Sequence, residues 1–336
     1  MNANVSRSLQ IQTDQIFGKY LKDDSINEIC YNGNNSLWIQ DYKGIWKEDC
    51  ENNFSYDQMM AFATPLASHK EDILKANKPI LSATLNNGER VQVVIPPATK
   101  KGRMSITIRK PSKVRYKLED YKKQEMFDSI VHENEKVLSN DERELIKLYE
   151  NRDWENFLIK AVKIGKNIVI AGATGSGKTT FMKSLIDFIP LEERIITIED
   201  TEEISFHEHK NYVQLFYPSE AREGDSVTSA ILLKSCLRMK PDRILLAELR
   251  GGEAYDYLSV LNSGHGGSIT SVHAGSVSKV FKRLTDMAGK NPSTKNISSK
   301  QMKKDFQDVI DIVVHIEAHN GIRKFSDVFY KGANNG

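Results

Sequence analysis

The sequence predicts an α/β fold: an N-terminal α+β domain, then a domain built on a central, mainly parallel sheet. Three observations carry that reading. Short β-branched runs alternate with helical stretches in the second half: NIVIA from Asn167, RIITI from Arg194, RILLAE from Arg243 and SITSVH from Ser268. Such runs suit strands buried on both faces, and the alternation suits crossover helices. The segment GATGSGKTT, residues 172 to 180, sits between one of these strands and an amphipathic stretch. The first 110 residues mix short strands, a helix and a tight turn instead.

In chain order, NEICYNG and SLWIQ read as strands, and residues 56 to 76 as a helix. PILSATLNNGERVQVVIPP reads as two strands around an Asn-Asn-Gly turn. Val91, Val93 and Ile95 alternate there with Gln92 and Val94, so the strand is at least half-buried. Pro96 and Pro97 stop it, and SITIRK adds one more strand. The first domain therefore covers 1–110. Residues 111–140 are dense in charge and read as a linker. NDERELIKLYENRDWENFLIKAVKIG reads as helical, with Leu145, Leu148, Trp154, Leu158 and Val162 at helical spacing and Asn140 or Asp141 as cap. It opens a second domain, 141–336.

Bulk composition excludes several classes. Hydrophobic residues make up 39% and charged residues 27%, as in an ordinary globular chain. The apolar runs are too short to span a bilayer, and the polar N-terminus has no signal-peptide core. A cytoplasmic location is expected. Cys30, Cys50 and Cys236 are scattered and form no CxxC pair, which fits free thiols in a reducing compartment. The net charge of +2 does not describe a polycation, and no specific nucleic-acid binding is expected. Charge is concentrated locally, however. Residues 100 to 123 hold ten Lys and Arg against Glu119 and Asp120. That run reads either as a solvated linker or as a contact for phosphates or anionic headgroups.

Gly172 to Thr179 match G-x-x-x-x-G-K-[ST]. Glycines let successive N–H groups converge on phosphates, and the following helix presents its positive end. Lys178 supplies a point charge to the β- and γ-phosphates, and Thr179 a hydroxyl to Mg²⁺. Met182, Leu185, Ile186 and Ile189 share one face of the helix, and Pro190 ends it. ATP with Mg²⁺ is the expected ligand. Glu248 closes the RILLAE strand, where it would position or deprotonate water. Glu199, Asp200, Glu202 and Glu203 follow another strand, and beside a triphosphate their natural use is metal and metal-water coordination. His265 stands among glycines, a place for sensing the γ-phosphate, and His273 ends a strand. Arg238, Arg243 and Arg250 flank the Glu248 strand, within reach of a phosphate or a neighbouring subunit.

GATGSGKTT, IEDTEEI, CLRMKPDRILLAELRGGEAYD and SGHGGSITSVHAGS, in this order, resemble the VirB11-type traffic ATPases of type IV secretion systems. EICYNG and NNGERVQVVIPP…SITIRKPS resemble that family's N-terminal domain, so the likeness runs from about residue 14 to 315. The resemblance implies a homo-hexameric ring, with an N-terminal ring stacked on a RecA-like P-loop ATPase ring. It implies work in substrate transport or pilus assembly, inner-membrane secretion proteins as partners, and peripheral attachment to the inner membrane. Nucleotide contacts carry over to Gly175, Ser176, Gly177, Lys178, Thr179 and Thr180. The acidic box carries over to Glu199, Asp200 and Glu203, the Walker B carboxylate to Glu248, and the histidine box to His265. Arg90 and Arg109 match N-terminal-domain arginines that reach the nucleotide, and Arg238 matches one near the phosphates. Ala247 departs from the common Gly. The stretch between RKPS and the loop is long for the family. Members with a longer linker pair the N-terminal domain of one subunit with the ATPase domain of its neighbour, which leaves open which chain supplies Arg90 and Arg109.

Two other machines share the loop. Type II secretion and pilus-assembly ATPases often carry a four-cysteine zinc element, and retraction ATPases an AIRNLIRE-like motif; the sequence has neither. A nucleic-acid translocase needs a basic channel loop, and YPSEAREGDS is not basic. A non-hydrolysing nucleotide-gated scaffold is disfavoured by Lys178 and Glu248.

Overall fold

A computed structural model of the chain describes residues 3–33, 36–112, 117–130, 138–222 and 224–334. Two sheets organise it. The N-terminal sheet is antiparallel and six-stranded, in the order β3-β2-β1-β6-β5-β4. Its strands are β1 (Ile26–Tyr31), β2 (Leu37–Asp41), β3 (Trp46–Asp49), β4 (Ile80–Thr84), β5 (Arg90–Val94) and β6 (Ser105–Arg109). Helices α1 (Ala3–Ile16) and α3 (Tyr56–His69) cover one face, with the short α2 (Gly18–Lys22) between α1 and β1. Phe17 and Phe62 meet edge to face at 4.9 Å in that core.

Helix α3 begins in a capping box, in which Ser55 accepts from the Gln58 N–H and Gln58 accepts from the Ser55 N–H. The spacing predicts this helix to residue 76, yet it stops at His69. Glu71 turns left-handed at φ 59° and ends the ladder. The Asn-Asn-Gly turn lies between β4 and β5, with Gly88 at φ 92°. Strand β5 is buried more fully than its alternation implies. Val91 and Val93 face the helices, while Gln92 and Val94 are covered by the second half of the chain.

The C-terminal sheet has seven strands in the order β13-β12-β7-β11-β10-β8-β9. These are β7 (Ile168–Gly172), β8 (Ile195–Glu199), β9 (Tyr212–Phe216), β10 (Arg243–Leu249), β11 (Ile269–Val272), β12 (Ile312–His319) and β13 (Ile322–Tyr330). All neighbours pair in parallel except β13, which returns antiparallel beside β12. That hairpin is absent from the sequence-based reading, although Asn320 and Gly321 at positive φ make its turn. Helices α5 (Asn140–Glu150), α6 (Trp154–Lys163) and α7 (Lys178–Ile186) pack on one face. On the other lie α8 (Ser229–Cys236), α9 (Glu253–Asn262), α10 (Val277–Ala288) and α11 (Ser299–Val309). The single helical run expected from Asn140 onward is two helices. Arg152 sits at φ 56°, and Asp153 caps the second helix through the Asn156 N–H.

The two sheets are pinned together by a buried polar joint. The Arg194 side chain is fully buried, donating to Asn32 Oδ1 at 2.5 Å, Asn211 Oδ1 at 2.7 Å and the Met239 carbonyl at 3.0 Å. The Arg194 N–H and Trp46 Nε1 both donate to Asp242 Oδ2 at 2.8 Å. Gln92 reaches Ser235 Oγ at 2.8 Å, and the Phe216 N–H reaches the Ala98 carbonyl at 3.0 Å. The interface therefore lies along β9 and the N-terminal ends of the C-terminal strands.

Part of the basic run is used inside this architecture. Lys100 pairs with Glu202 at 2.7 Å and Arg109 with Glu28 at 3.3 Å. Lys110 Nζ donates to the Tyr20 and Asp23 carbonyls. Lys117, Lys122 and Lys123 belong to the exposed short helix α4 (Leu118–Lys123) and its cap. Lys113 and Arg115 lie outside the described residues.

Candidate functional site

Strand β7 is wholly buried and delivers Gly172 to the C-terminal edge of the sheet. A side chain is impossible at Gly172, because a Cβ would stand 2.5 Å from the Ile316 carbonyl oxygen and 2.6 Å from Ser176 Oγ. Gly175 and Gly177 hold φ of 75° and 95°, which turns the chain back so that α7 starts at Lys178. Ser176 Oγ is buried and has no hydrogen-bond partner among the described residues. The loop is a cradle of backbone N–H groups at a helix start, which fits phosphate oxygens.

Lys178 folds back over the cradle. Its Nζ donates to the Gly172 carbonyl at 3.2 Å and the Ala173 carbonyl at 3.0 Å, and lies 3.3 Å from His273 Nδ1. Burial pushes the ammonium below its ordinary range, opposed by the Glu248 carboxylate. From Lys178 a chain of contacts runs across the strand ends. His273 Nε2 stands 2.6 Å from Glu248 Oε1. Arg250 Nε donates to Glu248 Oε2 at 2.8 Å, and Arg250 Nη1 to Asp200 Oδ2 at 2.5 Å. The Glu248 carboxylate is thus held by the Arg250 guanidinium and lies beside the His273 imidazole. Thr179 is half-buried and Thr180 exposed on the first turn of α7.

The acidic residues divide. Glu199 is fully buried and turned away from the loop. It accepts from Thr197 Oγ1, Gln214 Nε2 and the N–H groups of Glu203 and Ile204. Burial raises its pKa, and those four donors oppose the rise. In this structure the carboxylate, expected from the sequence as a metal ligand, organises the acidic turn, with both oxygens accepting hydrogen bonds. Asp200 alone joins the Lys178–Glu248 network, through Arg250. Glu203 is exposed and lends its backbone to Glu199. No group of three or more His, Cys, Asp or Glu that would hold a metal ion occurs among the described residues. The donors present fit a cation carried by phosphates, since Mg²⁺ keeps several waters and needs only one or two protein oxygens.

Four expected site residues are elsewhere. Arg90 and Arg109 are cross-strand neighbours in β5 and β6, and they share a cavity of about 700 Å³ with Arg238 and His265. Within one chain this cluster lies apart from Lys178, and which chain's phosphate loop Arg90 and Arg109 serve was left open by the sequence. The reason is topological. Arg238 precedes β10 and His265 precedes β11, whereas Glu248 and His273 end those strands. Strand β11, four residues long, separates the two edges by about 13 Å. The N-terminal sheet docks at the edge away from the phosphate loop. Burial and the Lys240 cation hold the His265 imidazole below its ordinary pKa, so it stays neutral near pH 7.

Glu28 lines this cavity, and burial pushes its pKa from 4.5 up to about 7 against the pull of Arg109. Its protonated form contributes stability that is complete below about pH 4.5 and lost as pH rises through 7. Glu28→Gln removes the buried charge. The variant is expected to be more stable than the parent by about 3 kcal/mol at pH 8, with the gap closing as pH falls to 5. Urea midpoints at the two pH values measure this.

His273, read from sequence only as a strand-ending histidine, is the residue that connects Lys178 to Glu248. Its position at the end of β11, next to β7, was the available signal. Arg250 was visible as a flanking arginine, but its pairing with Glu248 and Asp200 depends on the neighbouring strand β8.

Comparisons with known proteins identify the family. A family model described as Type II/IV secretion system protein matches residues 11–310. The type IV secretion system protein VirB11 of Brucella suis biovar 1 is 45% identical over 318 residues, covering 93% of this chain and 87% of that protein. The type IV secretion system protein PtlH of Bordetella pertussis is 38% identical over 322 residues, covering 94% of each. The crystal structure of the VirB11 ATPase from the Brucella suis type IV secretion system, in complex with sulphate, superposes with a TM-score of 0.91. It is 41% identical and covers 98% of this chain and 99% of that one. Sequence and fold agree over nearly the whole length, and the chain therefore belongs to the type II/IV secretion system protein family, as an ATPase of the VirB11 type.

Proposed function

We propose that the chain works as a homo-hexameric ring in which ATP is held between neighbouring copies. The phosphate loop of one copy faces the Arg90–Arg109–Arg238–His265 cluster of the next. One observation carries this. Two clusters suited to phosphates lie at opposite strand ends of the C-terminal sheet, one around Lys178 and one where the N-terminal sheet docks with Arg90 and Arg109. A head-to-tail arrangement brings such ends together, and when its rotation closes it makes a ring. Residues 1–110 and 141–336 act as two domains of one rigid body, joined through Arg194, and the 111–140 segment links them.

On this reading Gly175, Ser176, Gly177, Lys178, Thr179 and Thr180 bind the phosphates. Glu248, oriented by His273 and Arg250, accepts a proton from the attacking water. Thr179 and, through water, Asp200 and Glu203 would hold Mg²⁺, which supplies charge neutralisation at the β- and γ-phosphates. Arg90, Arg109 and Arg238 arrive from the neighbour, as arginine fingers do. Each hydrolysis removes the charge they grip and shifts one copy against the next. That motion drives substrate transport or pilus assembly by a type IV secretion system. The ring attaches peripherally to inner-membrane secretion proteins through the basic 100–123 run. No helix among the described residues is long and apolar enough to cross a membrane.

Complementation tests the shared site. Chains carrying Lys178→Ala and chains carrying Arg90→Ala with Arg109→Ala are each expected to lose turnover by about 10³-fold or more. Co-expressed, they are expected to regain phosphate release, because loops and arginines from different chains complete one another. Mixed rings with no recovery would overturn the arrangement.

A further inference from the structure

The β12–β13 hairpin reaches the phosphate loop from the side opposite Glu248 in the strand order, and no role above uses it. The Arg323 side chain lies over Gly177. A Cβ on that glycine would meet Arg323 Cδ at 3.2 Å and Nη1 at 3.4 Å. Arg323 is exposed, and its side chain makes no hydrogen bond or ion pair among the described residues. An unpaired guanidinium packed on a phosphate cradle is an anion partner in waiting.

Two residues further along the strand, Phe325 packs on Phe181 of α7, with ring centroids 4.7 Å apart and planes tilted by 58°. Phe325 nevertheless remains 54% exposed. The two rings, with Trp154, line a cavity of about 990 Å³. Phe181 is three residues after Lys178, so this lining begins about one helical turn from the phosphate-binding lysine. Glu150, Glu155 and Asp327 line the cavity against the single cation Arg152. An acidic rim repels phosphate and accepts hydrogen bonds from an exocyclic amino group. Uncovered aromatic faces favour a flat heteroaromatic ring.

We propose that the β12–β13 hairpin clamps the nucleotide: Arg323 pairs with its phosphates, and Phe325 stacks against its purine base in the adjoining cavity. This deepens the phosphate-loop reading and rests on it. It makes Phe325 a base-recognition residue and Arg323 a second intramolecular cation for the phosphates beside Lys178. Base and phosphates are then held by different residues of one strand, so their contributions separate experimentally.

The test compares ATP with inorganic tripolyphosphate, which has the phosphates and no base. Binding of each to the full chain is measured by calorimetry. Phe325→Ala is expected to weaken ATP about tenfold or more and leave tripolyphosphate unchanged, in line with the usual worth of base–aromatic stacking. Phe325→Trp keeps a stacking face and is expected to retain ATP affinity, which separates stacking from loss of structure. Arg323→Ala is expected to weaken both ligands about tenfold. Unchanged ATP affinity in Phe325→Ala, or an equal loss for both ligands, would overturn the base site. Unchanged tripolyphosphate affinity in Arg323→Ala would overturn the phosphate contact. Lys178→Ala serves as the reference. If it weakens neither ligand, the phosphate-loop reading falls, and the clamp with it.

Discussion

Lys178→Ala is expected to abolish ATP turnover while leaving the chain folded. The Nζ of Lys178 lies inside the cradle, where it currently bonds to two carbonyls of its own loop. A bound triphosphate offers it a better partner, and a charge-assisted hydrogen bond is worth about 1.5–3 kcal/mol. Its loss weakens ATP binding roughly 10- to 100-fold on that ground alone. Hydrolysis suffers more, since charge builds on the phosphoryl oxygens as the bond breaks. The loop itself should survive, because its turn is set by Gly175 and Gly177 and not by the lysine. Phosphate release measures the first effect and a thermal melt the second. Turnover near the parent level in a folded Lys178→Ala protein would refute the assignment of this loop.

Glu248→Gln should separate binding from chemistry. The side chain keeps its size and one acceptor, so Arg250 and His273 retain a partner while the proton acceptor is gone. General-base removal typically costs about 10²–10⁴-fold in rate. ATP affinity is expected to stay close to that of the parent, because Glu248 reaches the phosphate cradle by way of His273 and its charge, not by a direct hydrogen bond to the loop. Single-turnover hydrolysis and equilibrium binding of ATP on the same preparation give both numbers. An unchanged kcat with a raised KM would mean that Glu248 serves binding, and would move the base role elsewhere.

Much of this architecture is legible one segment at a time. NIVIA, RIITI, RILLAE and SITSVH became β7, β8, β10 and β11, because a run of β-branched and aliphatic residues carries its own burial signal. The Asn-Asn-Gly hairpin and the capped helices follow from similarly local chemistry. Residues that acquire their role from a neighbour were harder. Glu199 looks like its acidic companions in sequence. Only the return of the chain through Glu203, Ile204 and Gln214 shows that its carboxylate is already satisfied. The β12–β13 hairpin went unread because its exposed half alternates weakly and its turn resembles a polar tail.

The sequence by itself determined that there is a phosphate loop between a buried strand and a helix, that carboxylates follow the neighbouring strands, and which family the motifs resemble. Those features depend on spacings of a few residues, which local backbone geometry converts directly into structure. Only the tertiary structure decided which edge of the sheet each residue occupies. His265 and His273 are eight positions apart in the chain. A single four-residue strand carries one to the nucleotide edge and the other to the opposite edge. Docking of the N-terminal sheet by Arg194, Trp46 and Gln92 then fixed Arg90 and Arg109 beside His265 and away from Lys178. Strand order and docking arise from contacts between residues far apart in sequence, and no local pattern encodes them.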